Sequence, residues 1–319
     1  MSGHWSIVVS DRAVLSDLFG ANDQNIKIFE ELLGVRILTR GNEIFLETDN
    51  DKTRRVFKTI LTECEDQVKS GHALNPSIIK AIHSSLRNGE TEEVDILKQN
   101  TVIIPNGAAR VFPRSVNQAL YIESIEQNDM VFGIGPAGTG KTFLAVAEAL
   151  KAVIGRSIKK LVITRPVIEA GESLGFLPGD LETKINPYLK PLYDAMEMLL
   201  PFETIKKMEE NGSIDIAPLA YMRGRTLSDS FIILDEAQNT TRKQMKMFLT
   251  RIGEKSKTVI TGDITQIDLP NPKSSGLLHA MSILSKIREI KFIYFNEADV
   301  VRNKLVRKIV HAYETDREK

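Results

Sequence analysis

An α/β fold with a parallel sheet and helices on both faces, preceded by a small α+β unit, is what this sequence predicts. Three observations carry that reading. From Gln118 onward, short apolar runs alternate with helical stretches, the pattern of strands buried on both faces and joined by crossover helices. The glycine-rich stretch GPAGTGKT, residues 135–142, lies between one such run, MVFGI, and the helix-prone FLAVAEAL. Before residue 98 the pattern is different: a hairpin of short strands set among amphipathic helices.

Taken in order, WSIVVS reads as a short strand, and DRAVLSDLFG and NDQNIKIFEELLG as helices, the second with Ile26, Phe29 and Leu33 on one face and a stop at Gly34. VRILT and EIFLE flank RGN, where Gly41-Asn42 supplies a left-handed turn, so they form a hairpin. A helix from about Asp51 to Val68 carries the stripe Val56, Phe57, Ile60, Leu61, Cys64, Val68, and another surrounds PSIIKAIHSSL. Residues 98–117 break the periodicity with Pro105, Gly107 and Pro113 and are read as a junction between a first domain, 1–97, and a second, 118–319. In the second, the strands are MVFGI, KLVIT, SIDIAP, FIILD, TVITG and FIYF. Helices are expected after Lys141, in an insert after KLVIT, from Arg242, from Ser275 and at the C-terminus. PYLKPLYDAMEMLL puts Leu189, Leu192, Tyr193, Met196, Leu199 and Leu200 on one face, a stripe that reads as core or subunit contact.

Composition narrows the function classes. The 319 residues are 42% hydrophobic and 26% charged with a formal net charge of +0, so any nucleic-acid binding must rest on a local patch rather than on an overall field. A single cysteine, Cys64, excludes an internal disulfide and falls within an apolar stripe. The N-terminus lacks a basic segment followed by an apolar core, so no signal peptide is expected. No apolar run reaches the about 18 residues that span a membrane, and the five histidines are scattered without ligand spacing, so no structural metal is expected.

The chemistry concentrates at three strand ends. In GPAGTGKT the glycines let the backbone curl so that N–H groups face one anion, the positive end of the following helix adds to the attraction, and Lys141 reaches the β- and γ-phosphates. Thr142 offers its hydroxyl to Mg2+. The expected nucleotide contacts are Gly135, Pro136, Ala137, Gly138, Thr139, Gly140, Lys141 and Thr142. In FIILDEAQ, Asp235 emerges from a buried strand where it can hold the metal, and Glu236 is placed to orient and deprotonate an attacking water; the plainer reading is a helix N-cap. In TVITGDITQ, Asp263 and Gln266 approach the γ-phosphate if this strand neighbours the other two, with Gln266 sensing hydrolysis; otherwise the segment is a strand-ending turn.

Together GPAGTGKT, TRPVIEAGESLGFLPG, RGRTLSDSFIILDEAQN and TGDITQIDLP resemble the PhoH family of P-loop ATPases, over nearly the whole chain. The resemblance implies a core similar to the first RecA-like domain of superfamily 1 helicases, ATP hydrolysis, and a role for Gln118 of PRSVNQALY in reading the adenine edge. It also implies a cytoplasmic location, RNA as a partner, and a link to an endoribonuclease of ribosomal-RNA maturation. The first domain resembles a KH-type RNA-binding unit, but its GAND stretch has Gly20 and then Asp23 where a second glycine belongs. A carboxylate there repels phosphate, which leaves RNA binding, protein docking and a structural role all open. Thr164 and Arg165 are candidates for substrate contact, or Arg165 pairs with a carboxylate. The basic C-terminal run Arg302, Lys304, Arg307, Lys308 is a solvated face, an RNA-facing patch or a source of an arginine finger. A superfamily 1 helicase takes that arginine from a second motor domain, and only one is recognisable here. A neighbouring subunit is therefore expected to supply it within a homo-oligomeric ring, a hexamer, with Arg302 as first candidate and Arg223 and Arg225 next. The leading function is ATP hydrolysis coupled to RNA remodelling or rRNA processing. The alternative is a nucleotide-dependent switch or assembly factor that acts on a protein partner without translocation.

Overall fold

Strands close in sequence pair antiparallel through tight turns, whereas strands separated by crossover helices can pair in parallel, and it is the parallel arrangement that builds the main sheet of the second unit. The computed structural model describes residues 4–9, 12–20, 23–69, 74, 79–80, 82–83, 96–97, 99–105, 109–167 and 181–300. It divides into two units, residues 1–99 with 112–116 and residues 100–111 with 117–319. Most of PSIIKAIHSSL, residues 168–180 and the C-terminal run from 301 fall outside the described residues.

In the first unit, β1 (His4–Val8), β2 (Ile37–Arg40) and β3 (Glu43–Glu47) form an antiparallel sheet in the order β1-β3-β2. The β2–β3 turn places Gly41 at φ 65°, and Asn42 ties the turn to the sheet by accepting from Val9 N at 2.9 Å. Helices α1 (Arg12–Phe19), α2 (Gln24–Leu33) and α3 (Asp51–Lys69) complete the unit. Alternate residues of β3, Ile44 and Leu46, are fully buried with Leu18, Phe29, Phe57 and Leu61. Each such side chain contributes roughly 1.5–3 kcal/mol by leaving water. Cys64 lies in this core, where burial, reinforced by Glu65, pushes its thiol up to about 12; it packs as a small hydrophobe. Between α1 and α2, Gly20 (φ 68°) and Asp23 (φ 53°) both take left-handed backbone.

The second unit is a six-stranded, wholly parallel sheet, ordered β11-β6-β10-β9-β7-β8. Its strands are β6 (Met130–Ile134), β7 (Lys160–Arg165), β8 (Ile214–Pro218), β9 (Ser230–Leu234), β10 (Lys257–Gly262) and β11 (Ile290–Tyr294). Period-two alternation sends Val131, Val259, Phe231, Ile233, Leu161 and Ile163 to one face, and Phe132, Ile134, Ile260, Ile232, Leu234 and Val162 to the other. On the first face lie α4 (Val116–Gln127), α5 (Lys141–Ile154), α6 (Leu181–Glu197) and α7 (Phe202–Glu210). The second is covered by α8 (Arg242–Leu249) and α9 (Gly276–Leu284). This helix-covered parallel sheet is consistent with the P-loop NTPase core that the sequence resemblance implies. Among the described residues, no helix is long and apolar enough to cross a membrane.

Two segments differ from their local sequence signals. Residues 98–117, read as a junction, contain a hairpin, β4 (Val102–Ile104) and β5 (Ala109–Val111), whose Val102, Ile104 and Val111 are buried in the same core as α5. Three-residue strands are too short for periodicity to reveal them. The α6 stripe is buried at Leu189, Leu192 and Met196, but the helix ends at Glu197, and Leu199 and Leu200 enter the core from the following turn.

Ahead of β9, Arg225 donates to Asp215 of β8, which also pairs with Lys160 at 3.0 Å. Burial alone would raise the Asp215 carboxyl, but the two cations outweigh it and hold it below its ordinary value. A depressed carboxylate stabilises the fold above its unfolded pKa, and that contribution is lost as pH falls through the folded one. Arg225→Ala is therefore expected to lower Tm at neutral pH by about 2–4 °C, the size of roughly 1 kcal/mol from a half-buried pair. In thermal melts the gap to the parent should close as the medium is acidified below the carboxylate range.

Candidate active site

The loop between β6 and α5 has backbone that only small residues tolerate. Gly135 sits at φ 150°, and a Cβ there would lie 2.5 Å from the carbonyl oxygen and 2.7 Å from the Cβ of Phe295. Gly140, at φ 80°, is the residue from which α5 starts, and an added Cβ would come 3.3 Å from Gln118 Nε2. Those two constraints explain the spacing of the motif: one glycine leaves the sheet under the β11 connection, and the other turns the chain into the helix. Helix α5 then points its amino end at the loop, where unpaired N–H groups and the helix dipole favour an anion.

Lys141, the first residue of α5, is 8% exposed and donates to the carbonyls of Gly135 and Pro136, each at 2.7 Å, and to Thr139 Oγ1 at 3.2 Å. Thr139 is fully buried, and its hydroxyl donates to Pro136 O. Gln118, buried on α4, donates from Nε2 to Thr139 O at 2.9 Å. The glutamine expected to read a base is thus also a strut of the phosphate loop.

Strand order brings the acids to this loop. Because β10 lies between β6 and β9, with Gly262 opposite Ile134 and Ile260 opposite Leu234, the ends of all three strands converge. Asp235 Oδ1 accepts from Thr142 Oγ1 at 2.6 Å and from Thr261 Oγ1 at 2.7 Å. Next to it, Glu236 takes left-handed backbone at φ 52°. Its carboxylate lies 3.3 Å from Arg165 Nη2 and accepts from Gln238 Nε2. Burial, then the charge of Asp235, raise the Glu236 carboxyl above its ordinary value, against the opposing pull of Gln238, Arg165 and Lys141. Asp263 Oδ2 accepts from Ala137 N of the loop at 3.0 Å, and Gln266 is exposed at the rim.

Lys141, Thr142, Arg165, Asp235, Glu236, Asp263 and Gln266 line an open cleft of about 300 Å³ at the carboxyl ends of the strands, with Pro191, Leu192 and Ala195 of α6 as its apolar wall. Ligands of parallel α/β sheets bind at this end. The Thr142–Asp235 pair offers one hydroxyl and one carboxylate, and no group of three or more His, Cys, Asp or Glu among the described residues makes a metal cage. Such an all-oxygen, sparse donor set fits Mg2+, which keeps waters and substrate phosphates as its other ligands.

The structure thus brings together residues 135–142, Gln118, Asp235, Glu236, Asp263 and Gln266. Arg302 lies outside the described residues, Arg223 is exposed, and Arg225 is paired within its own chain. Of the two readings of Arg165, the structure contains the carboxylate pairing, with Glu236. Thr164 is fully buried and so is not a surface for substrate, because β7 is covered on both faces at that position. Sequence reasoning missed Gln238. It is 1% exposed, its Nε2 donates to Glu236 and to Gln266 O, and its Oε1 accepts from Asp263 N. Its only local signal was a polar residue two positions after the acidic pair. The apolar cleft wall was missed as well, since a helix stripe does not disclose which end of it meets a ligand.

The profile of the family described as "PhoH-like protein" matches residues 110–314. Among curated sequences, a PhoH-like protein of Bacillus subtilis is 45% identical over 298 residues, 93% of each chain. One of Mycobacterium tuberculosis is 44% identical over 297 residues, 93% of this chain and 84% of that one. Protein PhoH of Escherichia coli K12 is 39% identical over 245 residues, 74% of this chain and 69% of that one.

A raised carboxyl costs stability once ionised: the favourable contribution is complete below the unfolded pKa and is lost as pH rises through the folded one. Glu236→Gln removes that cost and keeps an acceptor for Gln238. Its expected result is a higher Tm than the parent at neutral pH, with the difference shrinking as pH drops to the ordinary carboxylate range. Melting curves across that range check it, and a lower Tm at neutral pH would contradict the burial argument.

Proposed function

The chain belongs to the PhoH-like protein family, and from that premise we propose that its cleft binds ATP with Mg2+ and hydrolyses it to ADP and phosphate, coupled to RNA remodelling or rRNA processing. The observation that carries this reading is the convergence of Lys141, the Thr142–Asp235 pair and Glu236 on one cleft at the strand ends. A glycine-rich turn without a ligand has no need of a buried lysine in the loop or of two adjacent acids facing it.

Each group has a role that its surroundings support. Backbone N–H groups of residues 137–142 and the Lys141 ammonium grip the β- and γ-phosphates. Thr142 and Asp235 would hold Mg2+, which would supply neutralisation of the phosphate charge. Glu236, with its raised carboxyl, orients a water on the γ-phosphorus and takes its proton as the new P–O bond forms and the bond to the ADP oxygen breaks. Gln266 senses the γ-phosphate at the rim, and Gln118 donates to or accepts from the adenine edge. Arg302 from a neighbouring subunit of a homo-oligomeric ring, a hexamer, neutralises charge developing in the transition state.

A second reading is a nucleotide-dependent switch that acts on a protein partner, such as an endoribonuclease, without translocation. Asp23 favours it: the left-handed backbone at φ 53° is kept, while a carboxylate stands where a phosphate clamp needs bare backbone.

Purified protein assayed for phosphate release tests the proposal. Lys141→Ala is expected to lose ATP binding. Glu236→Gln should keep binding while turnover falls about 10²–10⁴-fold, the usual contribution of a positioned base; unchanged turnover would remove Glu236 from that role. Arg302→Ala is expected to cost about 10³–10⁵ in rate in the assembled protein, with native mass measured alongside. Turnover raised by RNA in a salt-sensitive way supports the first reading, and stimulation by a protein alone supports the second.

A further inference from the structure

With a net charge of +0, an RNA contact on this chain needs cations gathered in one place, on the side of the sheet where nucleotide chemistry can respond. One feature of the second unit meets both conditions. An open groove of about 440 Å³ is lined by Thr241, Arg242 and Lys243, at the start of α8, and by Asn271, Lys273 and Ser274, in the connection from β10 to α9. Both segments follow the carboxyl ends of their strands, so the groove opens at the same end of the sheet as the cleft.

We propose that this groove is a binding site for the phosphodiester backbone of single-stranded RNA. The three cations come from two segments clasped to each other: Thr241 bridges Ser275, and Arg242 Nη2 donates to Lys273 O at 3.2 Å. Among the described residues, no carboxylate lies within ion-pair distance of Arg242, Lys243 or Lys273, whereas Arg165, Arg225, Lys151 and Lys160 all have acidic partners. Three like charges held together without a counterion are relieved by an anion that follows the groove. The helix terminus is not the attraction, because Thr241 and Gln244 already satisfy it in a capping box. Among the described residues, Lys286 and Arg288 precede β11 and so lie at the opposite end of the sheet from the cleft.

The groove also adjoins the acidic pair. Ser275 Oγ donates to Gln238 O at 2.8 Å, and Gly276 N donates to Thr240 O at 2.6 Å. Asn239 and Asp268 exchange two hydrogen bonds, and Gln238 in turn holds Glu236. The two segments that line the groove are therefore tied, through Ser275 and Gly276, to the short buried segment 238–240, from which Gln238 holds Glu236. This rests on the ATPase reading for its consequence, but not for the binding itself.

The test is fluorescence anisotropy of a labelled single-stranded oligouridylate across a salt series, on the full chain and on the Lys243→Ala/Lys273→Ala double variant, with Tm and ATP turnover measured on both. Each lost phosphate contact on a single strand reduces the slope of log affinity against log salt by about 0.7. The expected result is a slope smaller by roughly 1.4, weaker RNA binding, unchanged Tm and basal turnover, and loss of RNA stimulation. Equal slope and affinity in the two proteins would overturn the proposal. So would polyglutamate binding that matches RNA in strength and depends equally on the two lysines, since the groove would then take an acidic protein. Lysine-dependent RNA binding without any ATP turnover sinks the ATPase reading and upholds the groove.

Discussion

A single carboxylate oxygen ties three secondary-structure elements into one site. Asp235 Oδ1 accepts hydroxyl hydrogens from Thr142 at the start of α5 and from Thr261 near the end of β10, while Asp235 itself directly follows β9. Thr142 fixes the phosphate loop against the sheet, and Thr261 fixes the strand that separates loop from acid. The carboxylate is 6% exposed, where an unpartnered charge would be costly. Two short hydroxyl contacts offset that cost and orient the group toward the cleft. Everything else at the site is arranged around this fixed point.

Glu236 is the strained neighbour that this arrangement creates. It follows an ionisable residue directly, adopts left-handed backbone unusual for a glutamate, and is partly withdrawn from water. Arg165 from β7 and Gln238 hold it in place. Gln238 then reaches across to Asp263 and Gln266 on the neighbouring connection. The result is a network running from the β7 end through the acidic pair to the loop after β10, with Asp263 closing it on Ala137. Under the proposed reading, the group that activates water, the one that senses γ-phosphate and the loop that grips it belong to one hydrogen-bonded frame.

The sheet's two faces explain why that frame is rigid. Every strand from β6 to β9 buries residues on both sides, so the strand ends move only with the whole layer. Gly262 illustrates the closeness of the packing: an added Cβ would lie 2.5 Å from Leu277 Cδ2 and 3.0 Å from Gln238 Oε1. Beyond the strand ends, the connection after β10 is largely open to solvent from Ile264 onward, whereas residues 237–240 after β9 stay buried. There the cleft and the basic groove lie on either side of residues 235–240.

Sequence by itself determined what depends on neighbours in the chain. Gly135 and Gly140 mark the loop because their backbone angles admit little else, and the apolar runs declare strands buried on both faces. Asp235 and Glu236 are legible because they stand directly at the end of such a run. Tertiary structure decided what depends on which strands become neighbours. Sliding β10 between β6 and β9 is a non-local pairing that no window of periodicity contains, yet it brings Thr261, Asp263 and Gln266 to the loop. The same pairing turns Gln238 from a polar residue after a motif into the link between two strand ends. Pairing of β7 with β9 sets Arg165 beside Glu236, and the connection after β10 sets Lys273 beside Arg242. A residue's type and immediate spacing fix its own conformation and burial; its partners follow from strand order, which is chosen by the packing of the whole sheet.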